Sequence, residues 1–148
     1  ALRHARQLIG DTPVEIDYTL TFKPLGLARL LLSYGFRVTT MYADAFLGEE
    51  RQDFEALRET APDLLLHPTI HAGMRFASRE REQKVLALGQ KAAYFAGTPH
   101  FVNVVECGGM FGFDGICRLA KLMEEAFCEG KDTKALIQIK GLGCGCCS

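Results

Sequence analysis

Apolar positions along the chain recur at two spacings, every second residue and every third or fourth. Val14 and Ile16 alternate with Glu15 and Asp17, so residues 13–18 read as a first strand. Pro24 stands where proline favours a helix start, and Leu27, Leu30, Leu31 and Tyr34 form one apolar stripe until Gly35 stops it. Residues 36–41 read as a second strand, with Asp44 and Gly48 in the loop beyond it. Residues 49–60 form a charged helix anchored by Phe54 and Leu57, and Pro62 ends it. Leu64, Leu65 and Leu66 are a continuous apolar run, as expected of a strand covered on both faces. Residues 67–78 fit no period, and Pro68 and Gly73 mark a loop. Ser78 then caps a helix from about Glu80 to Ala96, with Val85, Leu88, Ala92 and Phe95 on one face. Gly89 inside that helix predicts a close contact, and Gly97 ends it.

Residues 98–127 organise the rest. Phe101, Val102, Val104 and Val105 give a buried strand, opened by Pro99. Gly108, Gly109, Gly112 and Gly115 give a turn, and Asp114 sits just before, and can cap, a helix with Ile116, Leu119, Ala120, Met123 and Phe127 on its apolar face. Residues 135–139 read as a short last strand, followed by the pliable tail GLGCGCCS. Residues 1–12 read as a short helix or a leader, 13–130 as the domain, and 131–148 as a C-terminal segment with a Cys-rich tail. Strand–helix alternation repeated four times predicts an α/β fold. We expect a three-layer Rossmann-like domain with a mostly parallel sheet of four to five strands and helices on both faces.

Composition changes this picture little. A length of 148 residues suits one domain, and 48% hydrophobic residues suit a packed core. A net charge of −1 gives no electrostatic footprint for nucleic acid or an anionic membrane, and no apolar run reaches spanning length. The chain reads as soluble and cytoplasmic. Its six cysteines are not dispersed like a secreted disulfide framework, which leaves packing or metal chemistry in a reducing compartment.

Ligands of such folds sit at the carboxyl ends of the strands. Glu106 and Cys107 stand at that edge after the central strand, as do Asp17, Tyr18 and Thr21 after the first and Tyr42 and Asp44 after the second. Cys107 reads either as a thiolate able to ligate iron or as a small side chain buried in a tight turn. Glu106 reads as a proton donor, a ligand or a helix-terminus carboxylate. Gly108, Gly109 and Gly112 do not follow the dinucleotide order GxGxxG, so they cradle a cofactor or simply permit close helix packing. His67 and His71 have the spacing of a helical metal pair, which Pro68 forbids, so they contact a cofactor from a loop or carry no chemistry. Cys144, Cys146 and Cys147 are soft ligands for iron, copper(I) or zinc that need a fourth partner, or a solvated tail without a role.

Three stretches resemble the component 1 family of nitrogenase, which includes catalytic subunits, cofactor-assembly scaffolds and the dark-operative protochlorophyllide and chlorophyllide reductases. They are KPLGLARLLLSYGFRV (23–38), ALGQKAAYFAGTPHFVNVVE (87–106) and GGMFGFDGICRLAKLM (108–123). The resemblance implies one C-terminal Rossmann-like domain of a longer protein. It implies an iron–sulfur cluster or related metal cofactor in the full-length protein. The partners it implies are a homologous component 1 subunit and an ATP-dependent iron–sulfur reductase. The site it implies lies at Glu106 and Cys107. Dinitrogen-reducing members carry a cofactor-ligating histidine before the glycine turn. Here the turn follows Val104-Val105-Glu106-Cys107, so a relative with an unassigned substrate fits better. Two other readings stand beside it: a non-catalytic scaffold for metal-cofactor assembly, and a small-molecule-binding Rossmann-type module.

Overall fold

The computed structural model describes residues 1–76, 83–133 and 135–136. Its elements run α1 (Leu2–Ile9), β1 (Val14–Asp17), α2 (Pro24–Ser33), β2 (Val38–Tyr42), α3 (Arg51–Thr60), β3 (Leu65–His67), β4 (Leu86–Leu88), α4 (Gln90–Ala96), β5 (Phe101–Val102) and α5 (Gly112–Cys128). The five strands form one parallel sheet in the order β3-β2-β1-β4-β5. The chain therefore builds outward from β1 in one direction, then returns to β1's other side and builds the opposite way.

That reversal decides where the helices go. Parallel crossovers are right-handed, so units that advance in opposite directions place their helices on opposite faces. Leu25, Ala28 and Leu31 of α2 pack with Val14 and Ile16 of β1 on one face. Ala92 and Ala93 of α4 pack with Tyr42, Ala87 and Phe101 on the other. The first face also carries α5, through Leu119, Ala120, Met123 and Ala126, and α1, through Leu2, Ala5 and Ile9. Residues 2–9 are thus part of the core. The α/β class, the parallel sheet and the three layers expected from the pattern are all present.

Four expectations are corrected. The helix expected from Glu80 to Ala96 is instead β4 followed by α4, with Gly89 at the corner. The apolar run expected to be covered on both faces is an edge strand, β3, with Leu65 54% and Leu66 41% exposed. Its outer flank has no neighbouring strand among the described residues. Asp114 lies within the first turn of α5 and makes no capping hydrogen bond. Of the expected last strand, Ala135 and Leu136 are helical, and Leu136 N–H bonds the Asp132 carbonyl at 3.1 Å. The remainder of that strand, Ser78, the start expected at Glu80, and Cys144, Cys146 and Cys147 lie outside the described residues. Among the described residues no helix is long and apolar enough to cross a membrane.

Candidate functional site

The strand order reverses between β1 and β4, and the crevice at their carboxyl ends is where such sheets bind ligands. Asp17 stands at this switch point. It is the last residue of β1 and is completely buried. One carboxylate oxygen accepts the Thr19 N–H at 2.7 Å and the Thr19 hydroxyl. The other accepts the Ala92 N–H at 2.7 Å, so Asp17 caps α4 from a neighbouring strand. Burial pushes the Asp17 carboxyl up from its ordinary value, and these hydrogen bonds pull it only part of the way back.

Gly89 makes that contact possible. Its φ of 112° and ψ of 164° belong to a region only glycine occupies readily, and a Cβ there would overlap the Asp17 carboxylate. The close contact expected at this glycine is real, but it turns a strand into a helix rather than interrupting one.

The loop after β5 folds over the same crevice. Glu106 N–H bonds the Thr19 carbonyl and Cys107 N–H bonds the Leu20 carbonyl, both at 2.8 Å. Pinned this way, Glu106 and Cys107 adopt φ of 50° and 63°, the left-handed region that costs an ordinary residue roughly 1–2 kcal/mol. Gly108, Gly109 and Gly112 continue with positive φ, so the turn ends in the first residue of α5. The half-buried Cys107 thiol lies 3.6 Å from the Thr21 hydroxyl oxygen, while Glu106 is exposed. Gln90 ties α4 to this loop, its amide donating to Asn103 Oδ1 at 2.6 Å. We expect Glu106→Gly to raise stability by about 1 kcal/mol, because glycine adopts this φ without strain. Urea unfolding measures it, and an unchanged or lower midpoint would show that the turn carries no such strain.

The expected site residues divide into groups. Glu106, Cys107, Gly108 and Gly109 share one turn against the loop after β1. His67 is the last residue of β3, not part of the loop expected from residue 67, and His71 lies beyond it, at the opposite edge of the sheet from β5. His67 stacks on Tyr42 with ring centroids 5.9 Å apart, and His71 Nδ1 accepts the Gly73 N–H at 3.1 Å. A third group joins Tyr18 and Asp44 of the expected ligand edge to Lys91 and Thr69, which the sequence does not link to them. Lys91 Nζ donates to the Tyr18 hydroxyl oxygen at 2.5 Å and to Thr69 Oγ1 at 3.2 Å, and lies 4.0 Å from Asp44. The positions of Gln90 and Lys91 are not legible in the sequence, because helical spacing runs through β4, the strand that places them. Gly89 was the one signal that could have exposed it.

Iron–sulfur clusters take four protein ligands, mostly thiolates. Among the described residues no group of three or more His, Cys, Asp or Glu side chains is placed to hold a metal ion. Cys107 is the one cysteine of this crevice among them, Cys117 and Cys128 being exposed on α5. The described residues therefore fit one ligand of such a cluster and not its full set. No protein-family model matches this chain, and no curated protein sequence matches it significantly.

Proposed function

We propose that this chain is a domain of a nitrogenase component 1-like oxidoreductase and forms one wall of a pocket for a metal cofactor or substrate. The observation that carries the reading is the turn at Glu106–Gly109. It is held in strained backbone against the crevice where the strand order reverses, and it presents a half-buried thiol there. In this reading Cys107 offers one ligand and Glu106 a carboxylate at the rim. Cys144, Cys146 and Cys147 are the other thiolates this chain offers, and electrons enter from the ATP-dependent iron–sulfur reductase docked on the paired homologous subunits. The chain alone does not turn over.

The rival small-molecule module loses its commonest form, a dinucleotide-binding domain. Phosphate would need the open N-terminus of the helix after β1. Glu50 already occupies it, its buried carboxylate accepting the Leu25 N–H at 2.8 Å and the Gly26 N–H at 3.4 Å.

Anaerobic reconstitution with iron and sulfide tests the reading. We expect bound iron in the wild type, most of it lost in Cys107→Ala and retained in Cys117→Ala. Equal iron in both variants would remove Cys107 from the site.

A further inference from the structure

We propose that Tyr18 is a proton donor of this site, held ready by Lys91, which Asp44 and Thr69 brace. The inference rests on the reductase reading above and adds a residue that reading does not contain.

Four elements deliver the four side chains to one place. Tyr18 follows β1, Asp44 follows β2, Thr69 follows β3, and Lys91 stands in the first turn of α4. Lys91 Nζ is 2.5 Å from the Tyr18 oxygen and lies over the same ring, 4.4 Å from its centroid. Its other neighbours are Thr69 Oγ1 at 3.2 Å and Asp44 at 4.0 Å. Asp44 is fixed in turn by the Thr69 hydroxyl at 2.6 Å and the Ile70 N–H at 3.0 Å. Partial burial pushes the Asp44 carboxyl up, but these bonds and the Lys91 charge hold it below its ordinary value. It therefore remains a carboxylate opposite Lys91.

The direction of the bond to Tyr18 matters most. An ammonium group only donates, so the tyrosine oxygen is the acceptor and its own proton is directed elsewhere. Among the described residues no acceptor takes that proton. Tyr18 is half-buried beside the crevice, and the next residue, Thr19, binds the Glu106 N–H. Lys91 and Asp44 carry opposite charges, so the cluster has no surplus charge with which to hold an anion. Its fitting partner is a neutral acceptor such as a carbonyl or imine.

The step balances as follows. The substrate C=O or C=N bond takes two electrons, delivered singly from the iron–sulfur reductase, and two protons. The Tyr18 O–H bond breaks as a new O–H or N–H bond forms on the substrate. The negative charge left on the phenolate oxygen rests against the Lys91 ammonium. Lys91 passes a proton to the phenolate and regains one from solvent, to which its side chain is 38% exposed. Solvent supplies the second proton, to carbon.

A tyrosine oxygen activated in this way reacts with arylsulfonyl fluorides, and peptide mapping by mass spectrometry reads each tyrosine separately. The test uses the whole, iron-free chain, so it succeeds or fails independently of cluster reconstitution. We expect Tyr18 to label roughly tenfold faster than Tyr34, which is more exposed and whose hydroxyl oxygen accepts no ammonium or guanidinium hydrogen bond among the described residues. Lys91→Met should abolish the difference and Lys91→Arg should restore much of it. Thr69→Val removes one brace and should reduce the difference part of the way, which keeps the test decisive if Lys91→Met fails to fold. Added phosphate or acetate should leave the rate unchanged. Labelling of Tyr18 no faster than of Tyr34, or a rate unmoved by both Lys91→Met and Thr69→Val, would overturn the proposal. Protection by either anion would overturn the neutral-acceptor class.

Discussion

Gly89→Ala lowers stability by about 3 kcal/mol or more, read as a fall in the urea midpoint at constant slope. Two costs combine. The backbone at φ 112° and ψ 164° lies where an alanine is strained, and the added Cβ overlaps the Asp17 carboxylate. Neither side yields easily. Asp17 ends the central strand and is tied to Thr19 and Ala92, while Gly89 is tied to β5 by its N–H bond to the Val102 carbonyl at 3.2 Å. The two costs separate in an Asp17→Ala background, where the steric part vanishes and Gly89→Ala costs only the backbone strain, roughly 1–3 kcal/mol. A single-variant cost below about 1 kcal/mol would show that strand and helix do not meet as described.

Asp17→Ala destabilises by about 2–4 kcal/mol, because buried N–H groups of Thr19 and Ala92 lose their acceptor and α4 loses its cap. The size of this effect depends on pH. Burial sets the folded-state pKa of Asp17 above its ordinary value of 3.8, so the folded chain holds that proton more tightly than the unfolded chain. The carboxyl contributes most below pH 3.8, and part of that contribution is lost as pH rises through the folded-state pKa. The gap between wild type and Asp17→Ala therefore narrows with rising pH across that window. A gap that widens instead would mean that the hydrogen bonds outweigh the burial.

Much of this arrangement is readable from residues alone, and the failures share a cause. Strands β1 and β2 and helices α2, α3 and α5 follow from clear periods bounded by Pro24, Gly35, Pro62 and the glycines after Cys107. Asp17, Tyr18 and Asp44 could be placed at the ligand edge because the strands before them were recognised. β4 could not be. Its Leu86-Ala87-Leu88 is short, lacks β-branched residues, and falls in register with the helix that follows, so helical spacing runs unbroken across both. Losing β4 hid the reversal of strand order, and with it the positions of Gln90 and Lys91. The leucines of β3 misled in another way. A local run of apolar residues cannot report whether a strand is central or at the edge, since that depends on which strands pair later. Nor can spacing reveal that Asp17 crosses to cap α4, or that the loop after β5 hangs on the carbonyls of Thr19 and Leu20.

The reversed strand order also bears on the timing of folding. β1, β2 and β3 can associate through short crossovers, as each partner arrives soon along the chain. β4 must find β1 across a much longer intervening segment, and β5 joins only through β4. Closing that long loop is the entropically expensive event, so the β1–β4 ladder sets the topological part of the folding barrier. The crevice lies on this seam. Asp17 and Tyr18 belong to the early half, whereas Lys91, Glu106 and Cys107 arrive with the late half. A chain in which β4 has not yet paired with β1 thus lacks the assembled switch point, with Asp17 and Tyr18 on one side of the seam and Lys91, Glu106 and Cys107 on the other.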